Sequence, residues 1–238
     1  MHVTEIASHR GGAYLWPENS LLAFRHALTW QAEQIEFDVH ASLDGEPVVI
    51  HDATLDRTTD GSGPVGTRPW AELQGLRVRG TGGECLPHLS QAAALIGPSS
   101  QRLRLEVKPG CPGLTQRCGA LLDGMGLRHR TILMSFETAS VAEAARLGGF
   151  EQVVWLLDGP ALASADVVPR CRGFGATEIG VHVDRADAGL RDAARSAGLR
   201  LSVWGANHAP SIQRALTLGV DVLATDDPPL AIELRRQA

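Results

Sequence analysis

The chain has 238 residues, 44% of them hydrophobic and 21% charged, which is enough apolar material for one large core beneath an ordinary charged surface. Its net charge of −5 argues against non-specific nucleic-acid binding, which calls for a basic stripe, and no window approaches the roughly 18 apolar residues of a membrane span. The first residues lack the basic and apolar regions of a secretory signal, so a cytoplasmic setting is expected.

In chain order, residues 3–9 are expected as a strand, 18–31 as a helix after Pro17, 34–40 as a strand and 46–51 as a further extended piece. A helix follows at 90–96, a strand at 102–108, a helix at 113–124, a strand at 131–136 and a helix at 138–147. Strands at 152–157, 178–183, 200–204 and 220–225 then alternate with helices at 160–168, 188–197, 210–218 and 230–236. Eight main strands, each followed by a helix, predict an α/β fold of the TIM (β/α)8 type, whose usual length is ~250 residues. An open doubly wound sheet is disfavoured by the near-equal units and by the lack of a Gly-rich dinucleotide turn.

Residues 52–85 break the rhythm, being rich in Gly, Pro, Thr and Arg, with a helical turn hinted only at 70–76. A single domain over 1–238 is expected, with 52–85 a small insertion after the second strand that covers one barrel end. Cys85, Cys111, Cys118 and Cys171 form neither a C-x-x-C pair nor a zinc spacing and read as free thiols.

Two strands carry charge where a parallel sheet is normally apolar on both faces. Alternation puts Ile35, Phe37 and Val39 on one face and Glu36, Asp38 and His40 on the other. It likewise sets Leu103, Leu105 and Val107 against Arg104, Glu106 and Lys108. Buried carboxylates need a partner or a metal. Glu36, Asp38 and Glu106, with no cysteine nearby, describe an oxygen site for a hard cation, Mg²⁺ or Ca²⁺. An internal salt-bridge cluster with Arg104, Arg10 and Lys108 explains the same spacing equally well.

Lys108 is the only lysine among 22 Lys and Arg residues, and a compact ammonium meets an oxyanion as a point charge where arginine offers a fork. Arg10 and Lys108 are the candidate cationic donors for a phosphate. His9 and His51 each end an extended piece; they are either hydrogen-bonding residues of the scaffold or an acid–base pair working near neutral pH. His182 ends another strand and is a further candidate for the pocket wall, whereas His2, His26, His88, His129 and His208 read as surface residues.

His9-Arg10-Gly11, Pro17-Glu18-Asn19-Ser20, Ile35-Glu36-Phe37-Asp38-Val39, Asp44-Gly45, Val48-Val49-Ile50-His51-Asp52 and Leu55-Asp56-Arg57-Thr58-Thr59-Asp60-Gly61 resemble the signature of the glycerophosphodiester phosphodiesterase family. Leu86-Pro87, Leu105-Glu106-Val107-Lys108-Pro109, Ser135-Phe136-Glu137, Trp204 with Asn207, Gly219-Val220-Asp221 and Thr225-Asp226 are similar to its later motifs. Each fragment is weak alone; the ordered set is specific, spans nearly the whole chain and looks closest to the short cytosolic bacterial type.

The resemblance implies a TIM barrel with a small subdomain inserted after the second strand. It implies one divalent cation, Mg²⁺ or Ca²⁺, on Glu36, Asp38 and Glu106, with His9 and His51 as the acid–base pair. Arg10, Lys108 and Trp204 would bind substrate. The implied reaction, part of glycerol and lipid metabolism, releases sn-glycerol 3-phosphate and an alcohol from a small glycerophosphodiester. The attacking group is water or the adjacent glycerol hydroxyl by way of a cyclic phosphate, and the resemblance favours the latter. No nucleic-acid partner and no stable membrane insertion are expected; a homo-oligomer stays open. Ser20 stands where Thr is common, and Trp204-Gly205-Ala206-Asn207 replaces the more frequent Trp-Thr-Val-Asn, which implies a roomier wall. Tyr14 and Trp16 are bulky for their loop and serve either packing or substrate selection. The rival functions are a lysophospholipase D-type phosphodiesterase and a catalytically silent barrel that binds phosphorylated metabolites; the latter would have lost a histidine or a carboxylate, and none is lost.

Overall fold

The computed structural model of the protein describes residues 3–159 and 167–237. Its strands are β1 (Glu5–Ser8), β2 (Gln34–Ala41), β3 (Pro47–Val49), β4 (Arg102–Val107), β5 (Thr131–Ser135), β6 (Gln152–Leu157), β7 (Glu178–His182), β8 (Arg200–Trp204) and β9 (Val222–Thr225). Its helices are α1 (Leu21–Ala27), α2 (Trp70–Leu73), α3 (Leu89–Ile96), α4 (Leu114–Gly124), α5 (Thr138–Leu147), α6 (Val167–Gly173), α7 (Ala188–Ser196), α8 (Ala209–Leu218) and α9 (Pro228–Gln237). The helix expected at 160–168 lies, up to residue 166, outside the described residues, as does His2.

Every strand of the sheet except β3 runs parallel to its neighbours, and the β1–β2 pairing closes the sheet into a barrel. β1 also pairs β9 from Glu5↔Val222 to Ser8↔Thr225, which brings the chain's last strand beside its first. β3 is the added strand: the expected extended piece folds back antiparallel on β2, with Val39 opposite Val49. The outward apolar rows predicted by alternation meet the helices, and Ile35, Phe37, Val39, Leu103, Leu105 and Val107 are all fully buried there. Truncating a side chain such as Phe37 to Ala would cost about 3–5 kcal/mol through lost transfer energy and the cavity left behind.

Two boundaries differ from expectation for local reasons. β1 stops at Ser8 because His9–Gly11 turns, with Arg10 at φ 51 and Gly11 at φ 82. A side chain at Gly11 would also bring its Cβ within 2.8 Å of Ala23 Cβ, so the turn requires glycine. α1 starts late because Asn19 sits at φ 54 and Ser20 caps the helix by accepting from the Ala23 amide.

Residues 52–85 are mostly loop, with α2 as their one α-helical turn among the described residues. Leu55, Val65, Leu73 and Val78 pack with Val48, Ile50 and Leu86 into a small core of their own. No helix among the described residues is long and apolar enough to cross a membrane.

Candidate active site

The barrel interior is divided in two at the carboxyl ends of the strands. On one side β2 and β4 project Glu36, Asp38, Glu106 and Lys108; on the other Ile132, Met134, Val154 and Leu156 form an apolar wall, joined by Phe136 and Trp204. Between them lies a cavity of about 320 Å³ lined by His9, Arg10, Glu36, His51, Glu106 and Lys108 on its charged side. Trp204 lines it as well, so of the residues to which the resemblance gives a catalytic, metal or substrate role Asp38 alone stands back from the cavity, buried and in contact with Lys108.

The β2–β4 register places Asp38 directly opposite Glu106. One oxygen from each of Glu36, Asp38 and Glu106 lies within 4.8 Å of the others. The Lys108 ammonium stands 2.7 Å from Asp38 Oδ1 and 2.7 Å from Glu106 Oε1, though neither contact has the angles of a hydrogen bond. Arg10 Nε is 3.5 Å from Asp38 Oδ2. Glu36 Oε2 accepts from the Arg10 backbone amide at 2.8 Å, whereas its Oε1 is buried with no partner. Both alternatives left open by the sequence are thus partly present: Lys108 and Arg10 pair with the cluster, and Arg104 does not.

The protein's own cations leave the cluster short of positive charge. Burial, with the Asp38 charge beside it, raises Glu36 and pushes the Glu106 carboxyl up to about 8. Burial acts the same way on Asp38, but Lys108 and Arg10 overcome it and hold that carboxyl well below the usual range. Three convergent oxygen donors, one orphaned and one held toward its protonated form, fit a hard divalent cation.

Each histidine is held from behind by a carboxylate. His9 Nδ1 is 2.6 Å from Asp226 Oδ1, and His51 Nδ1 is 2.8 Å from Asp52 Oδ1. Both Nδ1 atoms are therefore donors, which leaves Nε2 as the nitrogen available to the cavity. Burial lowers both histidines. At His9 the Glu36 and Asp226 carboxylates outweigh it, so His9 ends raised, whereas His51, facing Lys108 and Arg10 as well as Asp38, ends lowered.

Several residues that complete the site had no role assigned from sequence. Asn207 donates to Asp226 Oδ2 at 2.6 Å and accepts from the Asp226 amide at 2.9 Å, locking the carboxylate that holds His9. Asn19 donates to Asp38 Oδ2 at 2.8 Å and accepts from the Asp38 amide. A signal for Asp226 was available, since closing a barrel puts the residue after the last strand beside the one after the first. His40, on the polar face of β2, meets the His51 carbonyl oxygen at 3.0 Å instead of the cluster.

His182 does not line the cavity; its ring packs edge-on to Trp204, with centroids 4.8 Å apart. Trp16 stacks flat on His26 at 3.4 Å, a packing role, while Tyr14 stays 54% exposed beside His208. His88 is buried, contrary to its reading as a surface residue, because it caps α3 and meets Glu46 at 3.1 Å. Below the acidic cluster, Arg104 donates to Glu178 at 2.6 Å, to Gln34 at 3.1 Å and to Ser202 at 3.0 Å, closing the barrel floor with a neutralised pair.

A profile of the Glycerophosphoryl diester phosphodiesterase family matches residues 9–230, from the first site histidine to the start of the last helix. The chain belongs to that family. Among its phosphodiesterase relatives, the glycerophosphodiester phosphodiesterase of Caldanaerobacter subterraneus is 27% identical over 98% of both chains. A crystal structure from Agrobacterium tumefaciens, provisionally assigned as a glycerophosphoryl diester phosphodiesterase, superposes with a TM-score of 0.93 at 34% identity, covering 99% of this chain and 98% of that one. An Oleispira antarctica phosphodiesterase, solved in complex with its product sn-glycerol-3-phosphate, shares the fold at a TM-score of 0.85 and 24% identity over 99% of this chain and 98% of that one.

Proposed function

We propose that this family member hydrolyses small glycerophosphodiesters to sn-glycerol 3-phosphate and an alcohol, using His9 and His51 as proton carriers and one divalent cation held by Glu36, Asp38 and Glu106. The observation that carries this reading is the pairing of His9 with Asp226 and of His51 with Asp52 beside the acidic cluster, His9 facing Glu36 and His51 facing Asp38. When bound, the cation, Mg²⁺ or Ca²⁺, would neutralise phosphate charge and favour ionisation of the attacking hydroxyl.

The protein residues have distinct tasks in this reading. Arg10 and Lys108 meet the non-bridging oxygens, the first as a fork and the second as a point charge. His51, biased toward its neutral form, accepts the proton of the attacking group, which we take to be the neighbouring glycerol hydroxyl. His9, biased toward its protonated form, gives a proton to the leaving alcohol through Nε2 as the glycerol oxygen closes a cyclic phosphate. Water then attacks that phosphate, His9 taking the water's proton and His51 returning one to the departing glycerol hydroxyl, which leaves sn-glycerol 3-phosphate. The Trp204 side chain lines the cavity, and its buried Nε1, which has no hydrogen-bond partner among the described residues, is a candidate donor to a substrate oxygen.

The apolar wall of Met134, Phe136, Leu156 and Trp204 favours one alternative substrate, a lysophospholipid. Against it, the buried apolar residues of 52–85 pack into their own small core. We place the activity on soluble diesters in the cytoplasm, within one domain whose insertion is 52–85. His51→Ala tests the assignment: turnover of glycerophosphocholine should fall at least about 100-fold with cation binding retained. Turnover near wild type would remove His51 from the mechanism.

A further inference from the structure

Arg57 lies on the insertion and forks onto two carboxylates at once. Its Nε and NH2 groups donate to Asp52 at 2.6 and 2.9 Å, and its NH1 and NH2 groups donate to Glu18 at 2.7 and 2.9 Å. Neither carboxylate ends there. Asp52 Oδ1 also holds His51 Nδ1 at 2.8 Å, and Glu18 Oε1 also takes Arg10 NH1 at 3.0 Å. One planar cation therefore joins the loop after β1 to the loop after β3, and behind it the histidine and arginine that face the cavity.

The loop that carries Arg57 is anchored. Leu55 is fully buried in the insertion's core, and its amide donates to the Gly63 carbonyl while its own carbonyl accepts from Thr59. Arg57 itself is 46% exposed, and ion pairs that exposed contribute little to folding stability. The geometry has a sharper consequence at the site. With Arg57 occupying both oxygens of Glu18, that carboxylate holds Arg10 by a single hydrogen bond through NH1; Nε faces Asp38 at 3.5 Å, and NH2 is left for an incoming phosphate. With Arg57 on both oxygens of Asp52, the carboxylate is fixed in position behind His51.

We propose that Arg57 is a positioning residue: by clamping Asp52 and Glu18 together, the insertion sets His51 for proton transfer and Arg10 for phosphate binding. The proposal rests on the roles given to His51 and Arg10 above. It divides into two separable effects. Loss of the Asp52 arm disturbs His51 and lowers kcat, whereas loss of the Glu18 arm lets Glu18 draw Arg10 back and raises KM.

The test uses the full-length enzyme with Mg²⁺ and glycerophosphocholine, comparing wild type with R57A, R57K, D52N and R57A combined with E18Q. R57A should lower kcat/KM about 10- to 100-fold through both parameters, with its melting temperature close to wild type. D52N should act mainly on kcat, whereas adding E18Q to R57A, which removes the charge that draws Arg10 back, should reverse much of the rise in KM. Adding R57A to D52N should lower kcat little further, because both act through one path. Guanidinium ion should restore part of the R57A activity, and R57K should not match wild type, since an ammonium cannot fork two carboxylates. R57Q replaces R57A should the latter fail to fold.

A second readout needs no substrate. The downfield Nδ1 proton resonance of His51 should be sharp in wild type and broadened or lost in R57A. Kinetic constants within twofold of wild type, losses that multiply with D52N, or an unchanged His51 resonance would overturn the clamp. Absence of turnover in the wild type would overturn the phosphodiesterase reading instead, and the resonance would still decide the clamp.

Discussion

Asp226→Asn isolates the support behind His9 with a change of one heteroatom. Asn207 Nδ2 donates to Asp226 Oδ2 at 2.6 Å, so an asparagine at 226 must offer its carbonyl oxygen there. Its NH₂ then replaces Oδ1 at the 2.6 Å contact with His9 Nδ1, where a donor now stands instead of an acceptor. The imidazole must turn Nδ1 into an acceptor and carry its proton on Nε2, and the protonated ring loses a charge-assisted bond worth about 1.5–3 kcal/mol. That loss lowers the His9 pKa, because the Asp226 carboxylate is one of the groups that raise it. The new tautomer cannot accept at Nε2, and its imidazolium is less populated, so His9 fails as base and weakens as acid. The expected fall in kcat is about 10²- to 10⁴-fold, with cation affinity unchanged because Asp226 is no ligand of the cluster. Release of sn-glycerol 3-phosphate under saturating substrate, beside calorimetric Mg²⁺ titration, measures both. A kcat within threefold of wild type would refute the role of the Asp226–His9 pair.

Further predictions concern the cations and the cluster. Lys108→Arg should lower kcat/KM at least about tenfold, because a planar guanidinium cannot meet Asp38 and Glu106 as the ammonium does from its 8% exposed position; wild-type kinetics would remove Lys108 from the site. Arg104→Met should cost about 3–5 kcal/mol in urea unfolding by leaving the fully buried Glu178 without its hydrogen-bonded cation, Arg200 standing 3.7 Å away and making no hydrogen bond to it, and adding Glu178→Gln should recover much of it. Glu106 gives a pH signature in the cation-free protein, since burial and Asp38 raise its carboxyl to about 8 from an ordinary 4.5. A carboxyl raised by folding binds its proton more tightly in the native state, so cation-free stability should fall as the pH climbs through that interval. Mg²⁺ takes the ionised form, so its lift of the melting temperature should be larger at pH 8 than at pH 6. Equal lifts at both would contradict the assignment of Glu106 as a ligand.

The barrel was legible because period-two patterning states which face of each strand is dry, and Glu36-Phe37-Asp38 against Leu105-Glu106-Val107 showed that two inner faces were not. The same logic put Arg104, Glu106 and Lys108 on one face. It could not say that Arg104 turns to Glu178 on β7 while Lys108 turns to Asp38, since that depends on depth within the barrel. His9 with Asp226 joins residues 217 apart, a contact that exists only once β1 and β9 pair. Arg57 stands in a motif that gives it no task, because its contacts with Glu18 and Asp52 come from loops whose paths no periodicity encodes. His88 misled for a related reason: an imidazole before an apolar helix reads as exposed until its capping bond and Glu46 are seen.

Under the proposed function, the acidic cluster and the two histidines act together to cleave glycerophosphodiesters. The most direct test is release of sn-glycerol 3-phosphate from glycerophosphocholine, glycerophosphoethanolamine and a lysophospholipid, before chelation, after chelation and after restoring Mg²⁺ or Ca²⁺. Release from the soluble diesters that is abolished by chelator and regained with the cation is the predicted result. Release that survives full chelation, or no release from any glycerophosphodiester with either cation present, would contradict it.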